Sequence, residues 1–160
     1  MKTFILSLLF IVASASAQAQ TPGDLFRCFK SAKDAEYVHL GKLAFALMRP
    51  FVKGHDDADT RMAMRCIRSM KALDLDDCTD EVKHKFAQMA KNLKTNGYEE
   101  LVRSNEKGGR ALILMRQKKN VIRELLILSA GDDDCSMVQF KGKIKPDDVE
   151  KLMKDNKKTL

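Results

Sequence analysis

Three histidines, four cysteines and three acidic clusters are the side chains of this 160-residue chain whose types could do chemistry. His39, His55 and His84 are scattered, without the i, i+4 pairing by which a helix presents two imidazoles to one metal ion. They read as surface or structural histidines. The clusters Asp56-Asp57-x-Asp59, Asp74-x-Asp76-Asp77 and Asp132-Asp133-Asp134 lack the alternating acids and distal Glu of a calcium loop. Turn and cap duty accounts for them, because Asp bonds its own backbone and tolerates left-handed conformations. No G-x-S-x-G elbow or Gly-rich phosphate loop occurs, so the chain is expected to be no enzyme and to need no cofactor or metal. A catalytic site dispersed along the chain would leave no such signature.

Cys28, Cys66, Cys78 and Cys135 are spaced unlike a zinc knuckle or a C-x-x-C redox pair, the closest two being twelve positions apart. In an oxidising compartment an even count permits two disulfides, in any of three connectivities. Cys78 closes one expected strand and Cys135 opens another, which makes Cys78–Cys135 the preferred pair. Cys66 falls on an apolar stripe, where a thiol also serves as a small buried hydrophobe.

The surface feature with most chemistry is basic. Arg116, Lys118 and Lys119 surround a hairpin tip, and Lys141 and Lys143 recur at the two-residue period of one strand face. Such a patch suits an anionic membrane surface or an acidic partner. Lysines on an edge strand also block unwanted sheet pairing, and that is the preferred reading.

The compartment comes from the first residues. Lys2 supplies a positive start, Phe4–Val12 is apolar apart from Ser7, and Ala15-Ser16-Ala17 and Ala17-Gln18-Ala19 are overlapping cleavage sites. This is a signal peptide over residues 1–19, too short for a spanning helix. Cleavage is placed after Ala19, with Ala17 the alternative, and no lipobox Cys lies nearby. Export of a formal charge of +7, or +6 once Lys2 is removed, argues for partners in the cell envelope or beyond and against nucleic acid. The periplasm and the exterior fit equally well. About 140 residues then remain, enough for one domain with its own core.

The elements that must position these side chains are mostly legible. Asp24–Lys33 reads as a short helix with Leu25, Cys28 and Phe29 on one side, and Tyr37–Leu40 as a brief strand. Lys42–Val52 is apolar enough for a helix, which Pro50 should end or kink. Asp59 or Thr60 then caps a helix with the stripe Met62, Ala63, Cys66, Ile67 and Met70, followed by a short strand at Ala72–Leu75. Thr79 opens the best-marked helix, with Asp80 and Glu81 at its positive end, Val82, Phe86, Met89, Ala90 and Leu93 as its stripe, and Asn96-Gly97 as its stop. Four strands follow at Tyr98–Ser104, Arg110–Gln117, Val121–Ser129 and Cys135–Gly142. The middle two are apolar on both faces, so cover on both sides is expected. Pro146 begins a last helix, and residues 154–160 form a basic tail. The fold class is α+β: helices on an antiparallel meander of four to five strands, in one domain over residues 20–153.

This arrangement resembles the DUF4252 family of exported proteins of unknown function, many of them lipoproteins, found largely in Bacteroidetes. The resemblance is carried by Ala35-Glu36-Tyr37-Val38, Tyr98-Glu99-Glu100-Leu101, Gly108–Ile113, Ile122–Leu128 and Met137–Ile144, across roughly Asp24 to Met153. It implies the fold and export, and it assigns no catalytic residue. The missing lipobox Cys departs from many members.

Two functions are carried forward. The first is a non-catalytic envelope module that binds another protein, in signalling or stress response. The second is a small-molecule or lipid-binding protein with an apolar pocket between helices and sheet.

Overall fold

The computed structural model describes residues 20–52, 65–106, 108–132 and 134–145. The signal peptide, the helix start at Asp59 or Thr60, the helix after Pro146 and the basic tail lie outside the described residues. Within them the order is α1 (Pro22–Phe29), β1 (Glu36–Leu40), α2 (Lys42–Val52), β2 (Ile67–Asp74), α3 (Asp80–Lys91), β3 (Glu99–Glu106), β4 (Gly109–Lys118), β5 (Val121–Gly131) and β6 (Cys135–Ile144). No described helix is long and apolar enough to cross a membrane.

The α+β class holds, but the sheet has six strands instead of four or five. Their order is β1-β2-β6-β5-β4-β3, antiparallel throughout. The meander β3–β6 forms as expected. The two early strands extend it by pairing β2 on β6, which makes β6 an interior strand. Lys141 and Lys143 therefore do not guard an edge, and that reading of them is corrected. The edges are β1, only five residues long, and β3, which is broken by a bulge between Glu100 and Val102. Both devices discourage further pairing.

β2 also corrects the stripe assigned to Cys66, Ile67 and Met70: from Ile67 onward the chain is strand, not helix. Met70 and Ala72 pair across to Phe140 and Val138 on one side and to Leu40 and Val38 on the other. Two flanking ladders outweigh a local helical period, as tertiary context commonly does.

The helices are set by their ends. Thr21 and Asp24 form a reciprocal capping box with Pro22 in the first turn. The bonds from Thr21, aided by the nearby Arg27 guanidinium, hold the Asp24 carboxyl below its ordinary range. On this helix Leu25, Phe26 and Phe29 are buried but Cys28 is exposed, so Cys28 leaves the expected inner face. α2 runs through Pro50 to Val52. Thr79 is the cap residue of α3, yet its hydroxyl makes no capping bond, and the helix stops at Asn92, short of Asn96-Gly97. Leu93 is still buried, because Gln20 pairs with the chain there through Gln20 N–H to Asn92 O and Lys94 N–H to Gln20 O.

The main core lies between α1, α3 and one face of the sheet. Phe86 and Phe29 meet edge to face with centroids 5.4 Å apart, over Leu112, Leu114, Leu126, Leu128, Leu73 and Met137. The opposite face is different. One register row crosses all six strands as Val38, Ala72, Val138, Ile127, Ile113 and Val102, and every member is apolar. Val38, Ile127 and Val102 are 47, 38 and 45% exposed. The next row, Leu40, Met70, Phe140, Leu125 and Met115, is half-buried. Among the described residues, α1 and α3 cover the middle strands on one side, and on the other side Ile127 stays partly exposed.

Candidate functional site

The two ends of the helix-covered face carry two polar assemblies. At the first, the β4–β5 hairpin turns on Lys119 and Asn120, both left-handed at φ 51° and 54°, as a two-residue mirror-image turn requires. Just inside it, cross-strand register sets Arg116 beside Glu124 and Glu124 beside Lys141. Glu124 is only 6% exposed. Its carboxylate accepts from the Tyr98 hydroxyl and, at 2.5 Å, from Gln139 Nε2, and lies 3.6 Å from Arg116 Nη1. The Arg116 guanidinium also stacks 4.1 Å from the centre of the Tyr98 ring.

This closes the account of Glu124: a buried carboxylate satisfied by two hydrogen bonds and a cation needs no ligand to explain it. Burial, reinforced by the bond to Glu124 and its charge, raises the Tyr98 phenol well above the ordinary tyrosine range. Because the folded value lies above the unfolded one, the neutral phenol contributes stability in full below about pH 10. That contribution is lost as the pH climbs beyond the unfolded value. Alkaline unfolding should therefore set in at higher pH for Tyr98→Phe than for the native chain, relative to each protein's stability at pH 8. Equal pH profiles would refute the linkage. Phenolate absorbance of the native protein should show a delayed component that the variant lacks.

The structure does bring the basic residues expected from sequence to one end of the sheet. Lys118, Lys119, Lys141 and Lys143 are exposed there. Arg116 is drawn inward to Glu124 and Tyr98, so it belongs to the buried network more than to the patch. Glu124, Tyr98 and Gln139 were missed as a group. Glu124 was detectable as a lone carboxylate in register with Leu126 and Leu128 on the inward face of β5.

Cys78 and Cys135 share the core, and both are thiols. Cys78 Sγ donates to Lys33 O at 3.3 Å and Cys135 Sγ to Gly131 O at 3.0 Å. Burial raises both thiols above their ordinary range, which keeps them protonated and poorly nucleophilic. The acidic turns behave as expected: Asp74 Oδ1 accepts from Asp76 N–H, and Asp76 Oδ1 accepts from Cys135 N–H at 2.8 Å. The Asp56 cluster lies outside the described residues. No group of three metal-ligating side chains occurs among the described residues.

The second assembly is a cavity of about 370 Å³ at the opposite end. α3 supplies Lys83, His84, Ala87 and Lys91, which helical spacing sets on one side of the helix. The sheet supplies Asn105, Arg110, Ala130 and Asp132, with Gly108, Gly109 and Gly131 leaving bare backbone between them. A Cβ on Gly131 would stand 2.7 Å from Gly108 O, and one on Gly109 would stand 3.1 Å from Gly131 Cα, so side chains are excluded where the β3–β4 and β5–β6 turns cross. Lys83 Nζ reaches Asp132 O at 3.5 Å. Arg110 Nε is buried without a hydrogen-bond partner among the described residues. Burial, together with the charge of Arg103, lowers the affinity of Arg110 for its proton. The sequence concealed this cavity, since its cations come from segments some twenty residues apart that only the fold joins.

A helix-backed antiparallel sheet of this order defines a small α+β domain. The chain belongs to the DUF4252 family, described as a domain of unknown function, whose model matches residues 29–152. No curated protein and no solved structure matches it.

Proposed function

We propose that this protein is an exported, non-catalytic module of the cell envelope that binds another protein through the open face of its sheet. The observation that supports this reading is the apolar row Val38, Ala72, Val138, Ile127, Ile113 and Val102, with three members well exposed. Contiguous apolar surface of this kind mostly marks contact surfaces in proteins that work in water. The signal-peptide pattern of residues 1–19 supports export, and that surface would then meet signalling or stress-response partners outside the cytoplasm. The alternative of an apolar pocket between helices and sheet draws no support from the interface itself. There the described side chains Phe29, Phe86, Leu112, Leu114, Leu126 and Leu128 fill the space.

A photo-cross-linking side chain at position 127, in cells producing the full chain, tests the proposal. Adducts with one other exported protein are expected, and they should disappear when Val102 and Val138 are changed to Lys. Adducts no more frequent than from a probe at exposed Lys85 on α3 would sink it, and adducts only with a second copy would make the face a self-association surface instead. Ile127→Lys itself should change stability by less than about 1 kcal/mol, because the position is already half in water.

A further inference from the structure

We propose that the cavity between α3 and the glycine-lined turns binds a phosphomonoester, the phosphate seated among Lys83, Lys91 and Arg110. The charge count favours a dianion. Lys83, Lys91 and Arg110 line the cavity against the single carboxylate of Asp132, a balance of +2 from these four side chains. A phosphomonoester carries between one and a half and two negative charges near neutral pH. Asp80 lines the smaller neighbouring cavity with Lys83, His84 and Asp132 and is not among the residues of this one.

Arg110 adds direction to that charge. Its guanidinium extends from β4 on the same side as Leu112 and Leu114, and it makes no ion pair among the described residues. Glu100, whose charge acts on it, is already engaged by Arg103 through two guanidinium nitrogens. A buried guanidinium nitrogen with no acceptor is costly, and an oxyanion oxygen that displaced its cover would relieve that cost. Asp132 lines the same cavity but does not accept from Arg110 Nε. The glycines shape the wall: Gly109 and Gly131 let the two turns pack backbone to backbone beside the cavity.

Size separates the ligand from a bare ion. A volume of about 370 Å³ falls in the range of small-molecule sites and leaves room for a sugar-sized group beside the phosphate. The phosphate could be carried by a free metabolite or by a lipid headgroup. Both present the same oxyanion, and the cavity is at the far end of the sheet from Lys118 and Lys119.

The experiment titrates the full mature chain with ribose 5-phosphate and, separately, with vesicles of neutral lipid containing phosphatidic acid, at low ionic strength. Binding of at least one probe is expected. Arg110→Gln and Lys91→Gln should each weaken it about tenfold or more, the worth of one charge-assisted contact. The double change Lys118→Gln/Lys119→Gln should leave it within about twofold. Ribose 5-phosphate binding identifies a soluble ligand, and vesicle binding alone identifies a headgroup. Absence of binding to both, unchanged affinity in Arg110→Gln, or equal loss in the Lys118/Lys119 control would overturn the proposal. Lys91 is exposed, so its variant carries the test if Arg110→Gln does not fold. The cross-linking result at Ile127 is independent of every arm.

Discussion

Phe86→Ala should destabilise the domain by about 4 kcal/mol, the largest single-residue effect expected here. Phe86 is fully buried and is the one aromatic ring of α3 that reaches both α1 and the sheet. Its loss removes the edge-to-face contact with Phe29 and leaves a void over the leucines of β4 and β5. Neighbouring side chains have little room to collapse into it, because Leu112, Leu114, Leu126 and Leu128 are anchored to a hydrogen-bonded sheet. A domain of this size has about 5–15 kcal/mol in total, so the variant should unfold at clearly lower denaturant, with an unchanged m-value. A shift of the midpoint equivalent to less than about 1 kcal/mol would mean that α3 does not hold the core. The conservative Phe86→Leu should recover more than half of the loss.

Glu124→Ala should cost about 3 kcal/mol. The reason lies less in the carboxylate than in what it leaves behind: a half-buried tyrosine hydroxyl and a buried glutamine amide without their acceptor. The Arg116 contribution is discounted, since that side chain is 45% exposed and solvent screens its charge. Glu124→Gln keeps an acceptor oxygen and the shape, and should cost about half as much. Gln139→Leu in the Glu124→Ala background should restore stability, because removing a donor together with its lost acceptor relieves an unsatisfied pair. Chemical denaturation of the native protein, Glu124→Ala, Gln139→Leu and the double variant measures the coupling directly. Equal costs for Glu124→Ala and Glu124→Gln would show that packing, not hydrogen bonding, governs the site. These stability effects belong to the end of the sheet opposite the proposed phosphate cavity, so neither variant should alter binding of ribose 5-phosphate when folded.

The two proposals would divide the labour across one sheet. Its helix-covered face is closed by apolar packing, with polar groups satisfied at one end and an unsatisfied guanidinium in a basic cavity at the other. Its opposite face carries the apolar row that the proposed function assigns to a partner. The proposals use different residues and fail separately.

Much of this was written in local pattern. Alternating Val, Ile, Leu and Phe between Gly, Asn and Asp turns determined β3 to β6 and their order, because a meander needs only tight turns between neighbours in sequence. The spacing of Leu25 and Phe29 and the stripe through Phe86 and Ala90 likewise marked α1 and α3, although α1 starts at Pro22 and not at Asp24. The resemblance to DUF4252 was legible for the same reason, as it rests on core and turn positions. What local pattern could not decide is anything set by contacts between distant segments. Residues 67–70 have a helical period on their own, and only ladders on both sides made them strand β2. That insertion turned β6 from an edge into the sheet's interior and removed the edge-guarding role from Lys141 and Lys143. Glu124 met Tyr98 and Gln139, and Arg110 met Lys83 and Lys91, through pairings across strands and helix. Sequence determined which stretches could form an amphipathic surface; tertiary structure decided which surfaces met, since burial and ladder hydrogen bonds act between segments that the chain alone does not bring together.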